Sequence, residues 1–376
     1  MPSPSDPSAR SRGARVRPLA VALLAGGLVV ASCGSSSSPS ASPGDTAPST
    51  TVADAPGALR VVTHDSFAVS DAVLQAFETR TGIKVELISD GDAVEVVNKA
   101  ILTKDDPQAD VLFGIDSNTL TKAFDAGLFE PYQSPGLATV DASYQIDPDH
   151  RVTPIDHGDV CLNYDKAWFA AKGVAPPTSM DQLTGKDYEG TLVVENPATS
   201  TPGLAFMLAS VAKYGEDGWN DYWKQLRTNQ VSVVDGWEAA YYTSFSGSSG
   251  KGDKPIVVSY ATSPPAEVID ADPQPADAPT AVIEDSCFRQ VEFAGLLVGT
   301  KRPAAAQAFI DFLLSNDFQN DVPEKMYVLP VSSTATVQAT FAKYSANPTD
   351  PLTLPSDQIG ANSSAWVDEW TRTVLG

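Results

Sequence analysis

From residue 59 onward, short apolar runs alternate with stretches of helical period. Leu59-Arg60-Val61-Val62-Thr63 reads as a strand. Ser70 or Asp71 then opens a helix carrying Ala72, Leu74, Ala76 and Phe77, and Gly82 stops it. Residues 83–88 alternate apolar and polar side chains, the period of a second strand. Asp90-Gly91-Asp92 turns into a helix over 94–103. Residues 109–114 are apolar enough for a central parallel strand, and Ser117-Asn118-Thr119 starts a helix ending near Gly127. Strand and helix alternate three times, so a parallel sheet with helices on both faces is expected.

The pattern becomes mixed after residue 152. Strands are predicted over 160–164, 191–195, 230–234 and 256–260. Short helices are expected over 165–171 and 179–183, a long helical pair over 204–226, and a helix through Tyr241 and Tyr242. Residues 247–252, rich in glycine and serine, form a tip. Residues 289–297 read as a crossover strand that returns to the first half, followed by a helix over 303–315. The expectation is an α/β chain of two lobes. Lobe one is 58–156 with 288–376, and lobe two is 157–287.

Open parallel sheets bind ligands at the carboxyl ends of their strands. In the first half those ends are Thr63-His64-Asp65-Ser66, Ser89-Asp90-Gly91-Asp92 and Gly114-Ile115-Asp116-Ser117. All three carry carboxylates and hydroxyls, which suit a cationic or hydrogen-bonding ligand. In the second half the ends are Thr199-Ser200-Thr201, Gly236-Trp237 and Tyr260-Ala261-Thr262-Ser263. Ser200 and Thr201 precede Pro202, which fits the first position of a helix. The free N–H groups of that helix start can take an anion or a polar ligand atom. Two rows of polar strand ends imply a cleft between lobes, with a hinge that closes it.

The first residues add an address. Arg10, Arg12, Arg15 and Arg17 precede an apolar run over 19–31, too short for a stable membrane span and suited to export. Val30-Ala31-Ser32-Cys33 resembles the bacterial lipobox, which implies cleavage after residue 32 and a lipid on Cys33. Residues 33–57 are rich in Ser, Pro, Thr and Gly, and read as a disordered tether between lipid and folded part. Cys161 and Cys287 are the remaining cysteines; in an exported chain they are expected to pair, the alternative being two buried thiols. The net charge of −22 argues against nucleic acid as a partner.

The ordered strings resemble a known family. Val62-Thr63-His64-Asp65-Ser66-Phe67, residues 109–117, Thr199-Ser200-Thr201-Pro202-Gly203-Leu204, Gly236-Trp237 with Tyr241, and Ser259-Tyr260-Ala261-Thr262-Ser263-Pro264 are similar to segments of the thiamine-binding solute-binding proteins of bacterial ABC importers. Phe318-Gln319-Asn320 and Pro330-Val331 extend the match, which covers about 59–370. The resemblance implies a periplasmic-binding-protein fold of type II kind and no catalysis. It implies capture of thiamine or its phosphates for an ABC permease and its ATPase, by a monomer held to the outer face of the cell membrane only through its lipid, with no cofactor. Carried over by position, ligand contacts fall on Gly91, Asp92, Ser200, Thr201, Trp237, Tyr260, Ala261, Thr262 and Ser263. His64 stands where the family often has Tyr, and Tyr327 where it can have Trp. Trp237 and Tyr260 offer faces to flat rings, Asp65, Asp92 or Asp116 can offset the thiazolium charge, and a phosphate tail can sit on the Ser200–Thr201 helix start.

Two other ligand classes fit parts of the pattern. Adjacent Tyr241 and Tyr242, with His64, resemble the ligand set of ferric-ion binders, and a polyamine or aminophosphonate would also suit an acidic cleft. An enzyme is disfavoured. The only histidines are His64, His150 and His157, and no nucleophile elbow, metal-binding His pair or glycine-rich phosphate loop occurs.

Overall fold

Among the described residues, ten strands form a single mixed sheet whose middle is two long antiparallel strands. The computed structural model describes residues 54–248, 252–269 and 271–376. The expected export leader, Cys33, the expected tether up to residue 53 and residues 249–251 of the glycine-serine tip lie outside the described residues. The strands are β1 (Leu59–Thr63), β2 (Val85–Ser89), β3 (Val111–Asp116), β4 (Phe129–Glu130), β5 (Thr153–Asp165), β6 (Leu192–Glu195), β7 (Ser232–Val234), β8 (Ile256–Tyr260), β9 (Thr280–Leu297) and β10 (Leu329–Pro330). Their order is β2-β1-β3-β9-β5-β8-β6-β7, with β4 on β9 and β10 on β5. β1 is parallel to β2 and β3, and β6 is parallel to β7 and β8. β5 and β9 pair antiparallel between these two groups. The expected strands over 160–164 and 289–297 are thus the ends of far longer ones.

The helices are α1 (Asp71–Thr81), α2 (Ala93–Leu102), α3 (Leu120–Asp125), α4 (Lys166–Lys172), α5 (Thr201–Thr228), α6 (Ala266–Ile269), α7 (Pro303–Leu313), α8 (Asn316–Lys325), α9 (Ala339–Tyr344) and α10 (Ser356–Val374). The long helical pair is α5, broken at Gly215, where φ is 72° and only glycine is comfortable. Leu59, Val61 and Phe113 of the first parallel group pack with Phe309 and Phe312 of α7. Val96, Val97, Leu112 and Ile115 fill the opposite face under α2.

Two segments depart from the expected organisation. The tether was expected to reach residue 57, yet 54–57 are docked. The Asp54 carboxylate accepts from Ala304 N and Ala305 N at 3.0 and 2.8 Å, and so caps α7, which has no cap of its own. α10, expected in the first lobe, packs on α5 and also meets α3, where a Cβ at Gly360 would stand 2.5 Å from Thr121 Cγ2. Trp370 is fully buried and meets Trp223 edge-on at 5.3 Å, in one core with Ile359 and Trp366. The reason is an apolar stripe at helical spacing, Ile359, Trp366, Trp370 and Val374, that finds the indole-rich face of α5.

Cys161 and Cys287 are joined by a disulfide linking β5 to β9 across 126 residues of sequence, a closure that contributes about 4 kcal/mol by chain entropy. Truncating Trp370 to alanine is expected to cost about 3–5 kcal/mol of unfolding free energy, read by chemical denaturation. A loss under about 1 kcal/mol would mean that α10 is not part of the core.

Candidate functional site

The cleft forms where the carboxyl ends of both parallel groups face each other across β5 and β9. Counted out through its open mouth, it holds about 660 Å³ of space, solvent at the mouth included. One wall is the first-half strand ends: His64, Asp65, Ser66 and Asp92. The other is Thr201, Trp237, Tyr260 and Ser263. Asp156 and Gly158 of β5 and Gln290 and Glu292 of β9 also line it, and Met326-Tyr327-Val328 close one side.

Asp92 ties the two walls together. Its Oδ1 accepts from Ala93 N at 2.7 Å, which caps α2, and from Thr201 N at 3.1 Å, the first residue of α5. Its Oδ2 accepts from Trp237 N at 3.1 Å. Burial raises its pKa, while the bonds from Trp237 and Thr201 oppose the rise. The helix start expected to hold a phosphate is therefore already facing an internal carboxylate. Gly203 lets this happen, because a Cβ there would stand 2.5 Å from the Glu195 carbonyl oxygen at the end of β6. Smaller bonds add to the tie: Glu95 N donates to Thr199 O at 3.2 Å and Ser66 Oγ to Glu238 Oε1 at 3.1 Å.

His64 packs against β3, its ring tilted 46° to that of Phe113 at 5.7 Å. A Cβ at Gly114, where φ is 102° and the β3–β9 register shifts, would meet the imidazole Cδ2 at 2.5 Å. Its Nε2 is 3.3 Å from Glu292 Oε1. Burial lowers its pKa, and the nearby carboxylates of Asp92 and Asp156 only partly offset that.

The aromatic wall is a stack. Trp237 lies 5.0 Å from Tyr241 at an interplanar angle of 16°, and its Nε1 donates to Ser259 Oγ at 2.9 Å. Tyr260 stands edge-on to it at 6.4 Å, and Ser263 Oγ accepts from Tyr260 N at 3.1 Å to set the turn. Tyr327 sits at a φ of 55°, a left-handed conformation costing about 1 kcal/mol or more for a non-glycine residue.

Of the residues expected at the site, His64, Asp65, Asp92, Thr201, Trp237, Tyr260, Ser263 and Tyr327 line the cleft. Five do not. Gly91, at φ 94°, shapes the turn and its carbonyl accepts from Asp65 N. Asp116 is fully buried and spends its oxygens on Asn118 and Thr119, which it caps, with burial raising its pKa to about 6. Ser200 and Thr262 are buried behind the surface, and Ala261 packs on the disulfide. Sequence reasoning missed Asp156, Gln290 and Glu292. Strand-end logic looks only at the tips of parallel strands, whereas these lie inside β5 and β9.

The ferric arrangement is not formed. Tyr241 is buried, with its hydroxyl donating to Glu267 Oε1 at 2.9 Å, and neither it nor Tyr242 lines the cleft. Among the described residues no group of three or more His, Cys, Asp or Glu is placed to hold a metal. No described helix is long and apolar enough to cross a membrane.

Comparison with known proteins agrees with this geometry. Residues 106–353 match the family model of bacterial extracellular solute-binding proteins. The thiamine-binding periplasmic protein of Escherichia coli K12 is 31% identical over 84% of this chain and 93% of its own length. That of Salmonella typhimurium is 32% identical over the same shares. A solved periplasmic thiamin binding protein superposes with a TM-score of 0.75 at 30% identity, over 84% of this chain and 96% of that one. With two strand-end rows closing on a cleft, this chain belongs to the bacterial extracellular solute-binding protein family.

Proposed function

We propose that this chain captures thiamine in the cleft and delivers it to an ABC importer, without catalysis. The observation that carries the reading is the composition of the walls. Four carboxyl side chains, Asp65, Asp92, Asp156 and Glu292, line the cleft with Trp237, Tyr260 and Tyr327, and among the described residues no Lys or Arg lines it. A flat organic cation fits such walls: the rings contribute about 0.5–2 kcal/mol to a cation held against them, and the carboxylates balance its charge. The named relatives supply the identity of that cation. Asp92 at the start of α5 disfavours a phosphate there, so thiamine itself is the preferred form over its mono- and diphosphate. His64, Asp65, Asp92, Thr201, Trp237, Tyr260, Ser263 and Tyr327 are the contacts proposed from the expected set. The lipobox-like Val30-Ala31-Ser32-Cys33 supports an export signal and a lipid anchor that keeps the chain at the outer face of the cell membrane.

Calorimetric titration with thiamine, its two phosphates, ferric citrate and spermidine tests this. One-to-one binding of thiamine is expected, with phosphorylated forms no tighter. Heat with iron or spermidine alone would reject the reading. Trp237→Ala is expected to weaken thiamine binding by about 2 kcal/mol, and unchanged affinity would remove Trp237 from the site.

A further inference from the structure

Asp156 and Glu292 face each other on the two central strands. They are register partners in the β5–β9 pairing and both line the cleft. Two buried carboxyls that face each other cannot both ionise without a counter-charge, so the pair holds a proton. Asp156 is 2% exposed, and its Oδ2 meets no hydrogen-bond partner. Gln290, 3% exposed and lining the same cleft, has an unpartnered Oε1. Buried acceptors without donors are costly unless a ligand satisfies them.

The charged and titratable groups around the pair are almost all acidic. Asp116 of β3 is the register partner of Glu292 on its other side. His64 approaches from the end of β1, Asp92 from the start of α2, and Tyr260 from β8. Tyr327 lines the cleft next to β10, which pairs with Asp156 through Pro330. Asp65 and Glu238 lie further out and act on His64.

We propose that Asp156 and Glu292 are the counter-ion subsite for the fixed positive charge of an organic cation, and that one proton leaves the pair as the cation enters. This rests on the cationic ligand proposed above. The exchange balances. In the empty pair Glu292 carries the proton. On binding, its O–H bond breaks, the proton passes to solvent, and the carboxylate left behind faces the cation. The net charge of the buried floor is unchanged, so no uncompensated charge is buried. Burial, which pushes Glu292 up to about 8 and Asp156 well above the carboxylate range, keeps the proton on the empty pair at neutral pH. His64, lowered from 6.5, is neutral there and leaves the proton count to the acids.

Titrating thiamine into the intact chain near neutral pH, in buffers of different ionisation enthalpy, counts the protons released. About one per thiamine is expected, with affinity rising up to about tenfold per pH unit below about 8 and level above it. Glu292→Gln, and independently Asp156→Asn, should abolish the release and flatten the pH profile. No release from the wild-type protein, or the same release from E292Q, would overturn the proposal. If thiamine gives no heat, the thiamine reading fails by itself. The infrared difference between ligand-free wild-type protein and E292Q then decides the inference: a protonated-carboxyl C=O band lost in the variant upholds the proton on Glu292, and no such band overturns it.

Discussion

Asp92 accepts backbone N–H groups from three segments far apart in sequence: the starts of α2 and α5, and Trp237 after β7. Each is a strand-end turn, so one carboxylate closes the gap between the two parallel groups. The bonds are charge-assisted, and two of the donors lie at helix starts, where the backbone partial charge is positive. Three backbone N–H groups hold this carboxylate, and Ser200 and His64 add to them. No Lys or Arg among the described residues lines the cleft around it, so its other carboxylates face neither. That is the condition under which an incoming cation becomes the missing partner.

The central strands carry the same constraint deeper. β5 and β9 join the halves, and their facing side chains, Asp156 and Glu292, are buried among further acids. A purely apolar pair would have been easier to bury. Their placement on the strands that connect both groups ties the charge of the floor to the geometry of the walls. The disulfide between Cys161 and Cys287 fixes these two strands a few residues away, close behind the Tyr260–Ala261 turn.

Periodicity and turn chemistry exposed both parallel groups, because each strand there is a short apolar run ended by polar turn residues. The helix start at Thr201 and the place of Trp237 on the cleft wall were legible for the same reason. The long strands were not. β9 contains Glu284, Asp285, Arg289 and Glu292, which break the apolar pattern, and only pairing on both sides makes it continuous. Nothing local therefore separates Glu292 and Asp156 from ordinary solvated charges. Asp116 misled in the opposite direction, since a carboxylate at a strand end serves a ligand or its own turn equally well, and here Asn118 and Thr119 consume it. The docking of α10 on α5 depends on a long-range meeting of tryptophans that no local pattern encodes.

The most direct test of the central claim replaces Asp92 with alanine and follows thiamine affinity together with the small-angle scattering radius. Loss of the hydrogen bonds across the cleft is expected to weaken binding by about 2–3 kcal/mol, and to leave the chain more extended with thiamine present than the wild-type protein. Wild-type affinity with an unchanged radius would contradict the account, because the two walls would then be held together by something other than this carboxylate.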